Sequence, residues 1–63
     1  MNLAEIRHKN GLSQARLAEM VGLSRITIAR YELGISMPPP SFRFQLSTIF
    51  HIPLEDIELK MKK

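Results

Sequence analysis

Ser13-Gln14-Ala15-Arg16-Leu17-Ala18-Glu19-Met20-Val21-Gly22-Leu23-Ser24-Arg25-Ile26-Thr27-Ile28-Ala29-Arg30-Tyr31-Glu32-Leu33-Gly34 reads as two helices punctuated in the same way. Each opens on a serine, whose hydroxyl can accept from the free amides of a first turn, and each is closed by a glycine that can take a left-handed conformation. Residues 14–21 place Ala15, Leu17, Ala18 and Val21 in an apolar stripe, while Gln14, Arg16 and Glu19 point elsewhere. In residues 25–33 the inward positions are Ile28 and Tyr31; Ile26, Thr27 and Arg30 fall outside that face. Only Gly22-Leu23 separates the two helices before the second serine cap. A connection that short forces the second helix to cross the first at a steep angle.

The flanks read as shorter helices. Asn2 to Lys9 carries Leu3, Ile6 and Arg7 on one face and ends at the turn pair Asn10-Gly11. After Gly34 the loop Ile35-Ser36-Met37-Pro38-Pro39-Pro40 forbids a helix, although its last proline can occupy a first turn. A fourth helix is predicted from about Pro40 to Phe50, with Phe42, Leu46, Ile49 and Phe50 on one broad face. A short fifth is predicted from Leu54 to about Lys60, with Leu54, Ile57 and Met61 apolar. No strand is predicted. The expected fold is all-α: a compact five-helix bundle forming one domain over residues 1–63, with a helix-turn-helix at about 13–34.

Composition narrows the function. Sixty-three residues are near the lower limit for a self-supporting core, so tight helix packing or dimerisation is expected to help. Cysteine is absent, which excludes disulfides and thiolate metal sites and fits a reducing cytoplasm. His8 and His51 are far apart and have no neighbouring ligand pattern, so no metal and no other cofactor is expected. No apolar run approaches bilayer length, and the N-terminus does not read as a signal peptide. No nucleophile–base pair, paired carboxylates or phosphate-cradling loop points to an enzyme; Glu55-Asp56 read as helix-start charges. The net charge is +3, and residues 1–45 hold six bases against three acids. Such a balance is compatible with a polyanionic partner without requiring one.

The second helix of the pair offers suitable chemistry for one. Arg25 and Arg30 can each make bidentate bonds to a guanine edge, Ile26 can pack on a thymine methyl, and Thr27 can reach a base or a phosphate. The duller alternatives are ordinary solvated arginines and an exposed aliphatic. Here a resemblance enters. The stretch from Gly11-Leu12 through both helices to Leu33-Gly34, with the first helix and the closing Ile52-Pro53-Leu54-Glu55-Asp56-Ile57, resembles the phage repressor and Cro family of regulators, also called XRE-like. The resemblance implies that Arg25, Ile26 and Arg30 read bases, with Thr27 beside a base or the backbone. It implies that Gln14, Ser24 and Arg43 position phosphates. It also implies a partly buried salt bridge between Arg7 and Glu32. The sequence departs from the family pattern in its triple proline and in Arg43, which stands where an aliphatic core residue is usual. Either that helix is rotated, or Phe42 and Phe44 take the core role.

Phe44, Ile52, Leu54, Ile57 and Leu59 supply more apolar surface than a short terminal helix can hide; some of them must belong to the core, and the surplus predicts a two-fold interface. The expectation is therefore a cytoplasmic, non-enzymatic transcriptional regulator of bacterial or phage type. It would act as a homodimeric repressor on a pseudo-palindromic double-stranded DNA site, with no small-molecule ligand. The alternative is an antitoxin- or adaptor-type module whose main role is binding a partner protein.

Overall fold

The computed structural model describes residues 1–61 and contains four α-helices and one single-turn 3-10 helix. They are α1 (Leu3–Lys9), α2 (Gln14–Val21), α3 (Arg25–Leu33), α4 (Pro40–Phe50) and the 3-10 turn Leu54–Asp56. Their boundaries follow from local chemistry. Asn2 and Glu5 form a reciprocal capping box on α1, the Asn2 carboxamide accepting from the Glu5 amide at 2.8 Å. Ser13 accepts from the Arg16 amide at 3.0 Å, and Ser24 from the Thr27 amide at 3.2 Å. At α4, Pro40 needs no amide partner in the first turn, and the cap position is Pro39.

All four helices end alike. In α2, α3 and α4 the amide two residues beyond the last helical residue bonds back to the carbonyl three before it, Leu23 to Ala18, Ile35 to Arg30 and Ile52 to Ser47, and in α1 the same bond falls one residue later, from Leu12 to Arg7. The residue between must adopt a positive φ. At Gly22, in the turn of the helix pair, φ is 73° and an added Cβ would meet nothing within 4 Å, so the preference for glycine there is conformational rather than a matter of steric crowding. At the end of α4 the same role falls to His51, with φ 55°. A left-handed residue other than glycine costs about 1–2 kcal/mol. The Ser47 hydroxyl, donating to the Ile52 carbonyl at 2.6 Å, helps to hold it.

The core is aliphatic with one phenylalanine. Leu3 and Ile6 come from α1, Leu17, Ala18 and Val21 from α2, Ile28 from α3, Phe42 and Leu46 from α4, and Ile57 from beyond the 3-10 turn. Tyr31 packs edge-on against Phe42, with ring centroids 5.0 Å apart. The α2–α3 contact is the largest between elements.

Three expectations need correction. The fifth helix is one 3-10 turn: Ile57 is already extended, and the Glu58 amide donates to the Met1 carbonyl at 2.8 Å, as part of an isolated parallel bridge between Asn2 and Glu58. Ala15 is exposed rather than in the apolar stripe of α2, because at about 100° per residue it is rotated roughly 110° around the helix from the centre of the buried Leu17–Ala18–Val21 edge. Ile57 is buried in the domain's own core, so it is unavailable to a second subunit. As for the departures at the start of α4, Phe42 takes the core role, while Phe44 is 57% exposed and Arg43 faces solvent.

Candidate nucleic-acid interface

Successive helical residues are rotated by about 100°, and this sorts α3 into two sides. Ile28, Tyr31 and Glu32 face the domain. Ile26, Arg30 and Leu33, at i, i+4 and i+7, line the opposite ridge and are all exposed. Arg25 lies at the N-terminal shoulder of this ridge. Thr27 is on the other shoulder and half-buried, its hydroxyl 2.9 Å from that of Ser24. The residues expected to read bases therefore run along the outer side of α3, from Arg25 and Ile26 in its first turn to Arg30 in its last, with these three open to solvent. Leu33 was not foreseen as part of this ridge, although its i+7 spacing from Ile26 was a usable signal.

Behind the ridge lies a polar network. Arg7 of α1 donates from Nε to one Glu32 carboxylate oxygen at 2.7 Å, and from Nη2 to the other at 3.1 Å. Its Nη1 donates to the Leu12 carbonyl at 3.0 Å. The two side chains are only 13% and 10% exposed, respectively. Glu32 also accepts from Gln14 Nε2 at 3.2 Å, and Gln14 Oε1 in turn receives a longer bond, 3.4 Å, from Arg25 Nη1. Gln14, expected to bind phosphate, is thus also tied to the carboxylate of α3. Sequence reasoning missed this contact, which joins residues 18 positions apart and exists only through the packing of α2 against α3.

The electrostatics follow from that geometry. Burial pushes the Glu32 carboxyl up. The hydrogen bonds from Arg7 and Gln14, with the charges of Arg7 and His8, outweigh burial and leave it below the ordinary carboxylate value. Hydrogen bonding to Glu32 raises the Arg7 guanidinium further, so both groups are held charged.

Other predicted site residues lie elsewhere. Arg43 is exposed on the first turn of α4 and lines an apolar groove with Met37, Pro38, Pro39, Pro40, Phe44, Leu54 and Leu59. That groove unites three of the five residues expected at a two-fold interface: Phe44, Leu54 and Leu59. Ile52 is not among them; it borders a separate depression with Phe50 and His51. Among the described residues, no group of three or more His, Cys, Asp or Glu could hold a metal ion, and no helix is long and apolar enough to cross a membrane. Of the terminal lysines, Lys62 and Lys63 lie outside the described residues.

Two capped helices joined by a left-handed glycine, with a basic ridge on the second, define a helix-turn-helix domain. Comparison with known families and proteins agrees. The chain belongs to the helix-turn-helix family of the XRE-like type, which matches residues 3–57. It is 44% identical over 52 residues to a putative HTH-type transcriptional regulatory protein of Pyrococcus furiosus, a match covering 82% of this chain and 16% of that protein. It is 34% identical over 53 residues to the uncharacterized HTH-type transcriptional regulator YgzD of Bacillus subtilis, covering 84% of this chain and 80% of that one. The chain therefore spans about a sixth of the archaeal relative and about four fifths of the bacillary one. No solved structure gives a significant match.

Proposed function

We propose that the protein binds double-stranded DNA sequence-specifically and regulates transcription in the cytoplasm, as a homodimeric repressor on a pseudo-palindromic operator. The observation that carries this reading is the solvent-facing side of α3, along which Arg25 and Ile26 of the first turn and Arg30 of the last turn are all exposed. A helix in the major groove reads guanine by arginine and thymine by an apolar side chain. Gln14, Ser24 and Arg43 would set the register on phosphates, and Thr27 would support base reading from the shoulder. Binding would fall steeply with salt, by about 0.9 log units per log unit of salt for each phosphate neutralised.

The second subunit would be held through the groove formed by Phe44, Leu54, Leu59 and Met37. Apolar surface of this kind on so small a domain favours a partner. Two-fold symmetry then places the recognition helices about 34 Å, one helical turn, apart. The test is selection of preferred sites from random duplex DNA, together with sedimentation of the free protein. An enriched inverted repeat with half-sites one turn apart supports the reading. The same groove also favours a second one, a module whose main role is to grip a partner protein. Weak, salt-sensitive binding without sequence enrichment would overturn the operator reading in its favour.

A further inference from the structure

Ile26 and Arg30 are neighbours on one ridge. They stand one helical turn apart, about 6 Å along the axis, and both are open to solvent, with Ile26 54% exposed. Side chains of a helix lean towards its N-terminus, so the long Arg30 stem extends back alongside Ile26. Arg30 forms no salt bridge among the described residues, in contrast to Arg7 and Arg16. A guanidinium bonded to guanine O6 and N7 would then lie beside an aliphatic group one turn towards the helix start. Successive base pairs are about 3.4 Å apart. The Ile26 side chain would meet the base next to that guanine. The apolar feature of a base edge in the major groove is the C5-methyl group of a pyrimidine. Thymine carries it, and so does 5-methylcytosine, at the same ring position. Unmodified cytosine presents only C5–H there, and its amino donor finds no acceptor on isoleucine.

We propose that Ile26 and Arg30 act as one composite reader of a pyrimidine C5-methyl group adjacent to a guanine. The protein therefore accepts thymine–guanine and 5-methylcytosine–guanine steps and discriminates against the unmethylated cytosine–guanine step. Cytosine methylation in an operator half-site becomes an input to its occupancy. This inference rests on the DNA-binding reading above and adds to it the chemical feature recognised.

The test uses the duplex recovered by site selection, with its pyrimidine–guanine steps altered one atom group at a time, and fluorescence anisotropy as the readout. Exchanging thymine for uracil removes only the methyl group. Exchanging cytosine for 5-methylcytosine at the same step adds only that group. Each exchange is expected to change affinity about fourfold in the corresponding direction, the factor that burying one methyl-sized group supplies at 25 °C. In Ile26→Ala, an exposed-site variant that leaves the core intact, both methyl effects should collapse towards unity while the preference for guanine is retained. Equal binding of the thymine and uracil duplexes overturns the inference. So does a methyl effect that survives Ile26→Ala, or a selected half-site with no pyrimidine–guanine step. If the unaltered duplex binds no better than a scrambled one, the DNA-reading proposal itself fails, a result distinguishable from the other three.

Discussion

Replacing Arg7 by methionine should remove much of the stability of this domain, and the loss should depend on pH. The variant keeps the aliphatic stem but deletes two charge-assisted bonds to Glu32 and one bond to the Leu12 carbonyl. It leaves a carboxylate that is 10% exposed with Gln14 as its remaining donor. Removing one partner of a buried ion pair costs about 3–5 kcal/mol, and the residual exposure of both groups here argues for the lower end, about 3 kcal/mol. A domain of this size has a total stability of about 3–9 kcal/mol, so the loss is a third or more of it. At about 4–8 °C per kcal/mol, Tm should fall by roughly 12–24 °C at pH 7. The pH dependence should differ between the two proteins. In the native chain Glu32 is held below its ordinary value of 4.5, so its contribution is complete above that pH and is lost as pH falls below it. Without Arg7, burial is opposed only by the Gln14 bond and the His8 charge, so the carboxyl should rise relative to the native chain and acid should relieve the variant before it weakens the native chain. Thermal melts followed by circular dichroism at pH 7 and pH 4.5 should show the gap in Tm narrowing in acid. A variant melting within about 3 °C of the native chain at pH 7, or a gap that does not change with pH, would refute this account of the pair.

Three further substitutions probe the reading face, the core and the groove. Arg30→Ala should cost roughly 1–3 kcal/mol on the selected site and little on scrambled duplex; equal loss on both, in parallel titrations, would reduce Arg30 to a phosphate contact. Phe42→Ala should destabilise by about 3–5 kcal/mol in urea, because the ring is buried against Tyr31. Phe44→Lys should weaken self-association in sedimentation and lower the melt only by the lost dimer contribution, much less than Phe42→Ala, since Phe44 is exposed in the groove. A melt shifted as far as that of Phe42→Ala would show that the ring belongs to the core.

The legible parts of this fold are those governed by neighbours in sequence. Serine caps at Ser13 and Ser24, glycines closing at Gly11, Gly22 and Gly34, and a proline tolerated at the start of α4 all act within a turn, and the helix boundaries follow them. Identical logic fails where a partner far along the chain decides. The segment after Leu54 has the apolar spacing of a helix, yet the Glu58 amide is taken by the Met1 carbonyl, and nothing in residues 54–60 announces that bond. Phe42 and Phe44, by contrast, are separated by helical periodicity, Phe42 sharing a face with Leu46, and the structure buries Phe42 and exposes Phe44 accordingly. The site divides in the same way. The outward faces of Ile26 and Arg30 follow from helical periodicity, whereas the bond from Gln14 to Glu32 joins positions 18 residues apart and needs the crossing of α2 and α3 to exist.

That crossing explains why a polar network is useful behind an interface whose core is otherwise aliphatic. Packing among Leu17, Ile28 and Leu46 is cohesive but weakly directional, since such side chains tolerate repacking when volume is conserved. The base reading proposed for α3 would demand more, because a displacement of that helix by a fraction of a base-pair step would misalign bidentate bonds. Hydrogen bonds supply the missing angular constraint. One carboxylate on α3 accepts from Arg7 on α1 and from Gln14 on α2, so three helices share a single bonding centre. Arg25, at the mouth of the recognition helix, is bonded to the same Gln14. Glu32 thus links the stability of the domain to the orientation of the α3 face proposed to read bases, although it lies on the opposite side of α3 from Ile26 and Arg30.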